Sequence, residues 1–180
     1  MLLKAADSLL LVVDIQERLL PVMSSPREVI HNSRRLMQAA QRLAVPIMVS
    51  EHYPKGIGHT VFDLREFIPE GAVIEKSHFS CAAHPGFLGQ LGVFAKKQIV
   101  VVGTEAHVCV LQTVIDLKAL GYSVFVVQDA ISSRKKESVD LAVERMRMNN
   151  IPILNTEMVL FEWLNKAGTP EFKDLMVLIK

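Results

Sequence analysis

The stretch "QIVVVGTEAHVCV", residues 98–110, decides the fold. Ile99 to Val102 form an unbroken apolar run that stops at Gly103, and a short polar link then leads into a helical pattern carrying Cys109. An apolar run without polar alternation marks a strand buried on both faces, which requires helices on either side of the sheet. The same kind of run recurs outward in both directions: "SLLLVVD" (8–14), "VPIMVS" (45–50), "AVIEK" (72–76), "SVFVVQDA" (123–130) and a short "IPILNT" (151–156). Helical spacing appears at residues 28–43, 86–95, 107–120 and 135–149, with a further helix at 157–166. Alternating strands and helices at these intervals predict βαβ units, hence an α/β fold with a doubly wound parallel sheet in one domain, residues 1–180.

Composition excludes several classes of function. A net charge of +1 and no basic run longer than "RKK" (134–136) leave no nucleic-acid footprint. The apolar run at residues 9–13 is cut by Asp14, so no segment is long enough to span a bilayer, and the N-terminus reads as strand lead-in rather than signal peptide. Two cysteines without a framework point to a reducing, cytoplasmic setting. The expected partner is a small-molecule substrate, with neither nucleic acid nor membrane.

Ligands of open parallel sheets sit beyond the C-terminal strand ends, so the residues there carry the functional reading. Asp14 closes the first strand, Lys76 the third, and Cys109 opens the helix after the fourth. Each has an ordinary use: Asp14 as a helix cap, Lys76 as a solvated strand end, Cys109 as a small buried hydrophobe. Together they form the set that nucleophilic catalysis needs: a thiol, a base and a charged partner, with helix-start amides able to hold an oxyanion. A helix N-terminus can also depress a thiol pKa, so a reactive thiolate is expected at Cys109.

The segments "LLLVVDIQERLL" around Asp14, "EKSHFSCA" around Lys76, "VVVGTEAHVCVLQT" around Cys109 and "VVQDAISSR" at the fifth strand occur in order and cover nearly the whole chain. They resemble the isochorismatase-like family of cysteine hydrolases. "EHYPKGIG" and "ERMRMNNIPILNTEMVLFEWL" further resemble small isochorismatase-domain proteins with a poorly defined substrate. The resemblance implies a Rossmann-like three-layer sandwich with a six-stranded parallel sheet in the order 3-2-1-4-5-6. It implies a catalytic triad of Asp14 as general base, Lys76 as orienting cation and Cys109 as nucleophile. It also implies a cis peptide at Thr104–Glu105, an oxyanion hole from the backbone amides of Glu105 and Cys109, and a homo-oligomer. The activity it implies is hydrolysis of a small amide or carbamoyl C–N bond through a thioester. The alternative is a non-catalytic or redox-responsive binding protein on the same fold.

Nicotinamidases of that family bind a metal through an Asp-x-His pair and a second His, whereas this chain has "SEHYPKGIGHT" there. Glu51, His52 and His59 are the only metal candidates, and no metal or other cofactor is expected. "GTEAHVC" lacks the glycine spacing of a dinucleotide fingerprint. Tyr53, Phe79 and His107 are candidate pocket residues, and Cys81 is a candidate redox partner for Cys109 or simple packing. The apolar C-terminal part, with Leu160, Trp163, Leu164 and Leu175, either forms a subunit interface or closes the sheet's own flank.

Overall fold

The computed structural model describes residues 1–179. Strands β1 (Ser8–Val13), β2 (Ile47–His52), β3 (Val73–Lys76), β4 (Gln98–Thr104), β5 (Ser123–Ser132) and β6 (Ile153–Leu154) form one parallel sheet. Their order, β3-β2-β1-β4-β5-β6, is the expected one. The chain winds outward from β1 through β2 to β3 and then returns to β4 on the other side of β1. The C-terminal ends of β1 and β4 therefore border the crevice where the winding direction reverses.

Every residue of β1 and β4 is buried, as their unbroken apolar runs require. Successive side chains point to opposite faces. Leu10, Val12, Val49, Val100 and Val102 pack with Val29, Leu36 and Ala40 of α1 (Pro26–Arg42) and with Leu160 and Trp163 of α7 (Thr156–Leu164). Leu9, Leu11, Val13, Ile99 and Val101 pack on the other face. Their partners are Leu91 of α4 (Phe87–Val93), Val114 and Leu117 of α5 (Leu111–Ala119), and Val143 and Met146 of α6 (Lys136–Met148). Each such side chain contributes about 1.5–3 kcal/mol when fully buried, so two full layers hold the sheet rigid beneath its functional edge.

Three details differ from the sequence reading. Val73 and Glu75 are exposed, because β3 lies at the sheet edge. β5 runs on to Ser132, and its register against β4 shifts between Val101 and Gly103, which carries Ser132 and Ser133 to the crevice. β6 has only two residues: Pro152 has no N–H to pair, and Asn155 turns the chain into α7 by accepting from the Met158 amide at 2.8 Å. The long connection between β2 and β3, residues 53–72, holds two single-turn helices, α2 (Pro54–Ile57) and α3 (Phe62–Arg65). An antiparallel bridge between Gln16 and Thr60 ties it over the end of β1. The C-terminal segment closes the sheet's own flank. Leu160, Trp163, Leu164 and, at the end of α8 (Pro170–Leu175), Leu175 are buried in the core, and Trp163 Nε1 donates to Ser8 Oγ at 3.0 Å.

At the crevice β1 and β4 approach closely at Gly103. Its φ is +150°, and an added Cβ would lie 2.2 Å from the Val13 carbonyl oxygen. Neither neighbour is a flexible side-chain end, so Gly103→Ala is expected to destabilise the protein by at least about 1–3 kcal/mol. The urea-unfolding midpoint measures this, and an unchanged midpoint would contradict the packing described.

Candidate active site

Asp14 has no solvent exposure, and its groups are bonded from several elements. Its Oδ1 accepts from Ser50 Oγ at 2.6 Å and its Oδ2 from Lys76 Nζ at 2.7 Å. Its amide donates to the Ser50 carbonyl at 3.1 Å, and its own carbonyl accepts from Thr104 Oγ1 at 2.6 Å. Lys76 completes its three donors with the carbonyls of His78 at 3.2 Å and Phe79 at 3.3 Å. Burial pulls the Lys76 ammonium down, but the Asp14 carboxylate and the two cysteines outweigh it and hold its pKa above the ordinary lysine value. The structure thus brings Asp14 and Lys76 together as a fully buried ion pair.

Cys109 lies beside this pair and is 4% exposed. It sits in a π-helical turn, Ala106–Val110, that leads straight into α5. The Glu105 carbonyl accepts from the amides of Val108 at 2.9 Å and Val110 at 3.4 Å. Two expectations need correction here. The Thr104–Glu105 bond is trans, as are all peptide bonds among the described residues. The turn is made instead by Gly103 and by Glu105 in the left-handed region, φ +52°. Nor is the Cys109 thiol depressed. Burial pushes its pKa up, the Asp14 charge and a contact with that carboxylate push it further, and Lys76 opposes them without prevailing. The thiol is therefore protonated at neutral pH, with a carboxylate at hand to take the proton.

Seven non-glycine residues among those described have positive φ. Ala44, Ala95, Asn150 and Asn165 lie at helix ends, where such a conformation terminates the helix. The other three, Asp14, Tyr53 and Glu105, follow β1, β2 and β4 at the crevice. Backbone strain of about 1–3 kcal/mol per residue is characteristic of functional edges.

The remaining expected residues surround this centre. Tyr53, 58% exposed, donates its amide to the Lys76 carbonyl at 2.9 Å. Phe79, 53% exposed, stacks on His52. His107 lies within 2.9 Å of Ser133 Oγ and borders a cleft of about 260 Å³ with Arg134, Lys135 and Ser138. Glu105 Oε1 pairs with Arg134 at 2.8 Å, which anchors the turn before Cys109 to the end of β5. Cys81 is buried in the same core layer, its amide donating to Thr113 Oγ1 at 2.9 Å, one turn beyond Cys109 on α5. Both thiols are free.

Glu51, His52 and His59 are engaged in other contacts. Both Glu51 oxygens are occupied: Oε1 accepts from the Thr60 amide at 2.7 Å and hydroxyl at 2.8 Å, and Oε2 faces His59 Nδ1 at 2.9 Å. Burial would raise the Glu51 carboxyl, yet these partners hold it below the ordinary carboxylate range. No group of three or more His, Cys, Asp or Glu side chains among the described residues is placed to hold a metal ion. Ser50, which secures Asp14, was not singled out from the sequence. Its only signal is its position as the polar last residue of "VPIMVS" at a strand end.

A doubly wound parallel sheet with a buried carboxylate, ammonium and thiol at its switch point defines the class. Residues 8–158 match the isochorismatase domain, and the chain belongs to the isochorismatase family, a kinship that supports hydrolase activity in general. The secreted isochorismatase effector Isc1 of Phytophthora sojae is 36% identical over 97% of this chain and 85% of its own length. Isochorismatase domain-containing protein 1 of Danio rerio is 34% identical over 99% of this chain, which spans 62% of that protein's length. The solved structure of the MAR1 ribonuclease of Caenorhabditis elegans superposes with a TM-score of 0.93 at 36% identity, over 99% of this chain and 92% of that one. YcaC of Escherichia coli, described as an octameric hydrolase of unknown specificity, shares the fold with a TM-score of 0.89 at 22% identity, over 98% and 95%. No helix among the described residues is long and apolar enough to cross a membrane.

Two outcomes test the site. Lys76→Met leaves the Asp14 carboxylate buried without its counter-charge and is expected to cost roughly 3–5 kcal/mol, read from the denaturant midpoint; a midpoint within error of wild type would refute the ion pair's role. Asp14→Asn removes the charge and the accepting contact that raise the Cys109 thiol. The thiol pKa should therefore fall, seen as faster iodoacetamide alkylation at lower pH; a profile shifted upward or unmoved would show that Asp14 does not act on Cys109.

Proposed function

We propose that the protein is a cysteine-dependent hydrolase of small amides or carbamoyl compounds. What supports this reading is a buried Cys109 thiol that burial and the Asp14 charge keep protonated, with that carboxylate held in place by Lys76 and Ser50. Asp14 takes the thiol proton as Cys109 Sγ attacks the carbonyl carbon. The amides of Glu105 and Cys109 receive the developing oxyanion. As the C–N bond breaks, Asp14 returns the proton to the leaving nitrogen, which departs as ammonia or an amine. Water then attacks the thioester and gives a proton to Asp14, the acid product leaves, and the proton returns to the Cys109 sulfur. Lys76 offsets the charge on Asp14 throughout. No step requires a metal or cofactor.

The near-complete burial of Cys109 favours a small substrate. With a net charge of +1, it also favours small amides over the RNA suggested by the name of the Caenorhabditis elegans neighbour. Burial raises the Cys81 thiol as well, and protonated thiols react slowly with oxidants, so hydrolysis is favoured over redox signalling. Cytoplasmic residence and a homo-oligomer, the latter in keeping with the octameric Escherichia coli neighbour, belong to the same proposal.

A panel of primary amides and ureides, with ammonia release as readout, tests the reading. Cys109→Ala should lower turnover at least about 10³-fold while circular dichroism and melting stay those of wild type. Turnover retained by Cys109→Ala, or absent from wild type across the panel, would remove the hydrolase reading in favour of a binding protein.

A further inference from the structure

Strands β1 and β4 pair in register from Ser8 with Gln98 to Val13 with Gly103. The next pair would be Asp14 with Thr104, but Asp14 turns out of the ladder with φ +55°. A non-glycine residue keeps that conformation only where its surroundings over-determine it. Here the Asp14 amide donates to the Ser50 carbonyl at 3.1 Å, and the Asp14 carbonyl accepts from the Gln16 amide at 3.0 Å and from Thr104 Oγ1 at 2.6 Å. Thr104 is the last residue of β4 and has no solvent exposure. Its hydroxyl thus meets a carbonyl that the turn of Asp14 takes out of the ladder.

The restraints on Asp14 come from two directions. The sheet order places β2 and β3 on one side of β1 and β4 on the other. Ser50 of β2 and Lys76 of β3 hold the Asp14 carboxylate from the first side. Cys109 belongs to the turn that follows β4, on the second side. Thr104 directly precedes Glu105, whose left-handed backbone and accepting carbonyl open that turn. The Thr104 hydroxyl therefore ties the residue that carries the carboxylate to the strand end from which the turn with Cys109 departs. Thr104 is itself held by pairing with Ser132 of β5. A β-branched side chain has little rotamer freedom, so its hydroxyl stays on target.

We propose that Thr104 is a positioning residue, whose hydroxyl fixes Asp14 relative to the turn that carries Cys109 and so keeps the carboxylate at the thiol. This rests on the hydrolase reading above, in which that carboxylate moves the thiol proton. Proton transfer requires the two groups within hydrogen-bond reach, and a base secured to β2 and β3 alone is free to drift from a sulfur carried by β4. Without the hydroxyl the Asp14 carbonyl keeps the Gln16 amide as a partner. The loss then falls on the placing of the base more than on a buried carbonyl left unpaired.

The test reads the pH dependence of Cys109 alkylation by iodoacetamide in the full chain, by peptide mapping. The titratable groups acting on this thiol are Asp14 and Cys81, which raise it, and Lys76, which lowers it. Thr104→Val keeps the side-chain shape and removes the hydroxyl. With Asp14 released from β4, its charge should act less on the sulfur, and the profile should move to lower pH, as in Asp14→Asn. On the rising limb alkylation should be about three- to tenfold faster, a displacement of about 0.5–1 pH unit. Thr104→Ser, which keeps the hydroxyl, should return the profile to that of wild type. In the Asp14→Asn background Thr104→Val should shift the profile no further. Should Thr104→Val not fold, Thr104→Ala carries the same comparisons. A profile unmoved by loss of the hydroxyl, whatever happens to melting, would mean a merely structural bond and overturn the proposal. So would a shift that persists in the Asp14→Asn background or that Thr104→Ser fails to correct. The hydrolase reading fails separately: wild type then releases no ammonia from the amide panel, while these profiles, which need no turnover, still report on Thr104.

Discussion

The buried pair of Asp14 and Lys76 is the interaction on which the rest of the site depends. Neither side chain has any solvent exposure, and removing two charges from water costs several kcal/mol per ion. That cost is offset only because every polar direction is met: Ser50 on one carboxylate oxygen, Lys76 on the other, and two loop carbonyls on the remaining ammonium protons. The pair therefore fixes three strand ends relative to one another. It also fixes the loop from residue 77 to 79, on which Phe79 is carried.

The same pair sets the chemistry of Cys109. A dry site with a carboxylate beside the sulfur keeps the thiol protonated, so the resting protein holds a thiol and a base rather than a preformed thiolate. Under the proposed hydrolase mechanism, that arrangement suits proton transfer in step with attack, and a buried neutral thiol is spared adventitious oxidation. The two layers of apolar packing beneath the sheet allow this arrangement. A rigid β1–β4 core, tight enough at Gly103 to forbid a Cβ, keeps Asp14 and the turn carrying Cys109 from relaxing apart.

Much of the fold was legible because strands buried on both faces leave an unmistakable pattern. The run Ile99 to Val102 and its counterparts gave the six strands, and their alternation with helices gave the parallel sheet. Asp14, Lys76 and Cys109 were legible as chemically unusual residues at strand ends. Their meeting was not, since contacts across 62 residues of chain carry no local signal. Ser50 was overlooked because a serine ending a strand is unremarkable until its partner is known. The cis bond at Thr104–Glu105 was implied by the family resemblance alone, and the chain turns there on a trans bond with Glu105 in the left-handed region. The raised thiol was misjudged because a local rule, the favourable field of a helix start, was overridden by burial and by a carboxylate brought from another strand.

The most direct test of the central claim is to trap the covalent intermediate. The protein is mixed with the best amide of the panel, quenched in acid during turnover, and digested for mass spectrometry. The account predicts an adduct on the Cys109 peptide whose mass is that of the acyl group, the substrate without its departing nitrogen. Its amount should rise when deacylation is slowed, and it should be absent from Cys109→Ala. Product accumulating with no acyl group on Cys109 under either condition, or with one on another residue, would contradict it.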